Sequence, residues 1–146
     1  MIRIIIGSDR VGYELKTWLI RNLANQGYEL VDLGPFEAKS VHYPVIAMDV
    51  ARNVVKSENS FGILVCSTGI GMCIAANKVR GIRAANCDSL YLAEQSRAHN
   101  DANVLCLGSS VTSAADALGI VERFIAAPFE GGKHSIRVQM LRDCST

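Results

Sequence analysis

What this chain lacks narrows its function before any motif is read. No apolar run approaches the ~20 residues that a membrane span needs. Its opening stretch, MIRIIIGSDR, moves straight into a strand pattern, without the long apolar region and small-residue cleavage site of a secretion signal. Neither sign of charge is in excess: 15 Lys and Arg against 14 Asp and Glu give a formal net charge of +1. Such a balance leaves no electrostatic footprint for nucleic acid or an anionic membrane surface. The five cysteines, Cys66, Cys73, Cys87, Cys106 and Cys144, are odd in number, with no CxxC pair and no Cys/His cluster at zinc spacing. They read as reduced thiols of a cytosolic protein, not as a disulfide framework. There are no internal repeats, low-complexity segments or linkers. Nucleotide signatures are missing too. No GxxxxGK[ST] string occurs, and GIG at 69–71 continues as MCI instead of completing GxGxxG. A CxxxxxR phosphate cradle starting at Cys66 would need arginine at 72, where Met72 stands.

What is present is a regular alternation. Strand-like runs recur at 2–6, 28–33, 61–66, 82–87 and 103–108, and amphipathic segments lie near 12–26, 44–57, 71–79, 88–98 and 112–126. A last stretch, roughly 130–142, has the look of a terminal helix or arm. The 146 residues suit a single domain, 1–146, and the 49% hydrophobic content suits strands covered on both faces. Right-handed βαβ crossovers then predict an α/β protein: a five-stranded parallel sheet between two layers of helices. In such sheets ligands bind beyond the carboxyl ends of the strands, which directs attention to the residues after 6, 33, 66, 87 and 108.

Two of those places carry candidate chemistry. GSDRVG at 7–12 puts Asp9 and Arg10 at the mouth of the sheet, with Gly7 expected to allow a sharp turn. The plainer reading of Asp9 is a cap for the following helix. FGILVCSTGIGMC at 61–73 ends a buried run in Cys66 and continues into a glycine-rich turn at a helix start. Glycines let backbone N–H groups turn inward as a nest, so Ser67 to Gly71 could hold an anion and would suit a thiolate at Cys66. Thr68 adds a hydroxyl. An inert core thiol is the plainer reading of a buried cysteine. It fits Cys73, Cys87 and Cys106 better than Cys66, which opens the turn. Elsewhere, His99 and Asn100 fall at a helix end, where histidine can pass protons or merely complement the helix dipole. Tyr43, in HYP at 42–44, can line a pocket, and Pro44 suits a helix start. In EGGKHSIR at 130–137, Lys133 and Arg137 share a face if helical, as a phosphate clamp or as a solvated arm.

Taken in order, GSDRVGYELK, DLG, HYP, CSTGIGMCIAANKVRGIRAA, HNDANVLCLGS and EGGKHSIRV resemble the ribose-5-phosphate isomerase B family and its galactose-6-phosphate and allose-6-phosphate relatives, over essentially the whole chain. The resemblance implies a three-layer, Rossmann-like fold and interconversion of a phosphorylated aldose and ketose through a cis-enediolate. It implies Cys66 as the base that moves a proton between C1 and C2, and His99 as a helper in opening the sugar ring. Thr68 and the turn Ser67, Gly69, Ile70 and Gly71 would stabilise the enediolate oxygens. Asp9, Tyr43 and Asn100 would contact sugar hydroxyls, and Arg137 the phosphate. It implies no metal or organic cofactor, and a homodimer or tetramer whose sites draw on two subunits.

Four positions depart from the pattern. Arg10 stands where the family usually has histidine, Ser67 where glycine is frequent, Ser110 where arginine is frequent, and Lys133 where arginine is frequent. An ammonium binds phosphate as a point charge instead of a planar fork. Arg10 is therefore expected either to hold the phosphate or to contact a sugar hydroxyl. Ribose 5-phosphate to ribulose 5-phosphate is the first substrate reading. The alternatives are another sugar phosphate, such as a 6-phosphohexose or a tetrose phosphate, or a non-catalytic sugar-phosphate-binding subunit.

Overall fold

The computed structural model describes residues 1–144. Five strands alternate with helices: β1 (Arg3–Ser8), α1 (Tyr13–Leu23), β2 (Glu29–Asp32), α2 (Tyr43–Lys56), β3 (Ser60–Cys66), α3 (Ile70–Ala76), β4 (Ala84–Asn86), α4 (Leu90–Ala98), β5 (Val104–Gly108) and α5 (Ala114–Ala126), followed by α6 (Lys133–Asp143). The strands form one sheet in the order β2-β1-β3-β5-β4, and every pairing is parallel.

Strand side chains alternate between the two faces, as the pleat requires. Ile4, Ile6, Ile63, Val65, Leu105 and Leu107 pack under α1, α4 and α5. Their neighbours Ile5, Leu64, Cys66, Val104 and Cys106 pack under α2 and α3. Both faces are covered, which is why the central strands read as unbroken apolar runs. Among the described residues no helix is long and apolar enough to cross a membrane.

The predicted elements are found, with differences at their ends that have local causes. Gly7 lies inside β1 instead of a turn; its missing side chain lets Ile46 and Val50 of α2 lie against the strand. α3 stops at Ala76, short of the expected 79. Asn77 donates from Nδ2 to the Ala84 carbonyl (3.0 Å) and accepts the Ala84 N–H on Oδ1 (2.8 Å), which ends the helix and starts β4. The terminal segment is a helix, but only Val138 of its residues is buried.

Candidate active site

The carboxyl end of the sheet is built around the turn after β3. The Asp9 N–H donates to the Val65 carbonyl (3.1 Å), and the Ser109 N–H to the Cys66 carbonyl (2.8 Å). Cys66 is therefore flanked by the exits of β1 and β5. Its side chain is 6% exposed, and the Gly69 N–H donates to Sγ at 3.1 Å, which fixes the sulfur against the turn. Gly69 has φ +83°, a conformation that costs other residues energy and glycine little, and it reverses the chain into α3. The first amides of a helix have no acceptor within it. Thr68 Oγ1 takes that of Ile70 at 3.2 Å.

The turn is held from both sides. The Asn86 amide donates to the Thr68 carbonyl at 3.3 Å. The Ser110 N–H donates to the Ser67 carbonyl (2.9 Å), and the two serine hydroxyls lie 2.8 Å apart. The Tyr43 ring lies against Gly71, where a Cβ would meet its Cε1 at 2.6 Å. Asp9 accepts the Gly12 N–H on Oδ1 at 2.9 Å, so it does cap the turn into α1 while standing at the sheet mouth. Arg10 beside it is exposed.

The remaining candidates lie at the other end. His99 caps the C-terminus of α4, its N–H donating to the Gln95 carbonyl. Its ring stacks on that of His134, with centroids 4.2 Å apart and planes 9° from parallel. Glu130 joins them: its N–H donates to the Ala98 carbonyl (3.0 Å), and its Oε1 lies 3.4 Å from His99 Nε2 and 3.8 Å from His134 Nε2. Loss of solvent, then the neighbouring His99, hold the His134 ring below the usual imidazole range. The Asn100 carbonyl accepts from Arg83 Nε at 3.2 Å. Lys133 and Arg137 follow on the exposed first turns of α6.

One chain therefore brings Asp9, Arg10, Tyr43 and Cys66 to Gly71 together, but not with His99, Asn100, Lys133 and Arg137. Gly62 pairs with Val104 and Cys66 with Gly108. The segment holding His99 and Asn100 precedes Val104, so about 13 Å of strand, four steps of ~3.3 Å, separates the two groups. The strand-end rule located the first group; it could not apply to residues that leave a helix. Four residues of these two groups were missed: Asn86, Ser109, Glu130 and His134. Asn86 and Ser109 close the ends of β4 and β5, where the same rule points, and Glu130 stands four residues before His134.

Comparison with known proteins gives a consistent set of matches. The family described as Ribose/Galactose Isomerase matches residues 4–141. The ribose-5-phosphate isomerase B of Escherichia coli K12 is 43% identical over 141 residues, 97% of this chain and 95% of that protein. The structure of the Clostridium thermocellum ribose-5-phosphate isomerase B superposes with a TM-score of 0.94 at 46% identity, covering 97% of this chain and 96% of that one. The Mycoplasma genitalium ribose-5-phosphate isomerase B, solved with bound ribulose-5-phosphate, superposes with a TM-score of 0.92 at 39% identity, covering 97% and 95%.

Proposed function

The chain belongs to the ribose/galactose isomerase family, and from that premise we propose that it interconverts ribose 5-phosphate and ribulose 5-phosphate through a cis-enediolate. The observation that carries this reading is the Cys66 sulfur, held by a backbone amide inside a glycine-rich turn at the mouth of the sheet. With the sugar ring open, the Cys66 thiolate takes the C2 proton of the aldose. The electrons left behind collect on the oxygens at C1 and C2. Amides of the turn and the Thr68 hydroxyl meet that charge as it develops; one such donor is worth about 3–4 kcal/mol of transition-state stabilisation. The hydroxyl proton passes from O2 to O1, and return of the proton from Cys66 to C1 yields the ketose.

Ring opening and phosphate binding fall to the other group: His99, Asn100, Lys133 and Arg137. Since these lie at the opposite end of the same chain, the reading requires two chains. In a two-fold dimer the carboxyl end of one sheet faces the amino end of the other, and two equivalent sites form. Exposed apolar side chains support this pairing: Ile136, Met140 and Leu141 on α6, and Ile70 and Ile74 on α3 beside the turn. Arg10 supplies a guanidinium from the Cys66 side. Five free thiols suit a cytoplasmic location.

The test uses two inactive variants. Cys66→Ala and His99→Ala are each expected to lack turnover of ribose 5-phosphate. Unfolded and refolded together in equal amounts, they should recover about one quarter of the wild-type activity, because half the dimers are hybrids with one intact site. Recovery of nothing would mean that both residues serve the same chain's site.

A further inference from the structure

Cys73 and Cys106 form a thiol pair that the isomerase chemistry leaves unused. Both lie on the face of the sheet covered by α2 and α3. Cys106 is fully buried in β5, while Cys73 on α3 is half-buried and keeps part of its surface in solvent. As a thiol, Cys73 Sγ donates to the Ala84 carbonyl at 3.4 Å. Ala84 opens β4, and two residues on, Asn86 stands opposite Cys106 of β5. Neighbouring strands run ~4.8 Å apart, so the Cys73 sulfur rests over the β4–β5 seam. The Cys106 thiol hydrogen-bonds to it there. Cys87 packs on the opposite face of the sheet, and the Cys66 sulfur is held by the Gly69 N–H at the end of β3.

Backbone hydrogen bonds join this pair to the catalytic turn. The Cys73 N–H donates to the Gly69 carbonyl (3.0 Å), and the Gly69 N–H donates to Cys66 Sγ (3.1 Å). On β5, Cys106 stands two residues before Gly108, against which the Thr68 backbone packs.

We propose that Cys73 and Cys106 are a modification site for hydroperoxides, closing to a disulfide that slows the isomerase. Cys73 is the attacking sulfur, because the thiolate is the nucleophile and its neighbours lower this thiol to about 7. With hydrogen peroxide, the Cys73 thiolate bonds to one peroxide oxygen and the O–O bond breaks. Hydroxide leaves and takes up a proton as water, and Cys73, oxidised by two electrons, becomes a sulfenic acid. The Cys106 thiol then attacks that sulfur. The S–S bond forms, the S–O bond breaks, and the hydroxyl leaves with the Cys106 proton as a second water. A disulfide holds its sulfurs ~2.05 Å apart, closer than any hydrogen bond. α3 must therefore shift on β5, and Gly69 shifts with it. Closure rests on the pair alone; slowing rests on the proposed role of Cys66.

The reduced, folded full-length chain is treated with hydrogen peroxide in neutral buffer. Remaining thiols are capped with N-ethylmaleimide in denaturant, and the digest is read by mass spectrometry. Cys73 and Cys106 should appear in one disulfide-linked peptide pair. Turnover of ribose 5-phosphate should fall in proportion to the linked fraction, and dithiothreitol should restore it. Cys73→Ser exchanges sulfur for oxygen at a half-buried site; it should turn over normally and keep its turnover after the same exposure. Cys106→Ala should form no linked pair. The link is read by mass and turnover by rate, so failure of either is seen by itself. Equal loss of turnover in Cys73→Ser and wild type would assign the damage to Cys66 and overturn the proposal. So would no link, a link from Cys73 to Cys66 or to the exposed Cys144, or a linked chain with undiminished turnover.

Discussion

At the scale of single residues, the five cysteines share one chemistry and differ through their surroundings. Replacing Cys66 by alanine should lower turnover by about 10²–10⁴-fold, the span of a lost general base, with the far-ultraviolet circular dichroism unchanged. Cys144 is exposed, and Cys73 on α3 is a half-buried thiol whose neighbours favour its charged form. A hydrogen bond from the Cys106 thiol is the chief cause that lowers it to about 7, against the partial burial that opposes this. Its donor is pushed well above the usual thiol range by that same bond and by burial, and burial pushes Cys87 up to about 11. Above about 7, then, Cys73 carries the charge and its two neighbours keep their protons. Iodoacetamide labelling of the folded chain, followed by mass spectrometry, should show Cys73 modification levelling off by pH 8 while Cys87 and Cys106 stay unlabelled. A Cys73 rate still climbing tenfold between pH 8 and 9 would contradict this. Arg10 is expected to act on binding, since it stands beside Asp9 at the sheet mouth, in the group proposed to face the sugar, and has no part in the proposed proton transfer. Arg10→Ala should raise KM about 10- to 100-fold, the worth of a charged hydrogen bond, with kcat little changed.

At the scale of elements, the turn after β3 depends on a strand to which it is not joined. A Cβ on Gly108 would meet the Thr68 carbonyl carbon at 2.6 Å. Gly108→Ala must therefore push the turn off the end of β5. It should cost about 1–3 kcal/mol by urea unfolding, as overpacking does, and should reduce turnover in fully folded protein. α1 is tied down differently. Lys16 is fully buried, and its Nζ donates to Asp32 at 2.8 Å and to the Pro35 carbonyl, joining α1 to β2 and to the loop that leads to α2. Lys16→Met should destabilise by about 1–3 kcal/mol, since it leaves the Pro35 carbonyl without its donor and takes the counter-ion from Asp32. The elements themselves were legible because apolar runs and amphipathic segments alternate without exception. Their ends were less so. Nothing in the spacing says that Asn77 spends both ends of its amide on Ala84, or that Gly7 serves a helix packed across the strand. Those are decisions of tertiary contact, invisible to a local pattern.

At the scale of the whole molecule, the motifs were readable and the resemblance implied sites drawn from two subunits, but not which residue stands on which side. Cys66 follows a strand and His99 follows a helix. In a parallel sheet, helices run back against the strands, so a residue leaving a strand and one leaving a helix must face opposite ends. The connectivity held that information, but a list of candidate residues in sequence order did not use it. Asn86 and Ser109 escaped for a different reason, since neither belongs to a residue class that announces chemistry. The distance between the two half-sites also shapes kinetics. If neither half performs catalysis without the other, an isolated chain is a reagent and not a catalyst. At high dilution the initial rate should then rise with the square of the protein concentration and become linear once pairing is complete. Activity recorded across a dilution series would show that curvature. In a cell that makes few copies of this chain, the amount of enzyme would be set by how often two chains meet as well as by how many are made.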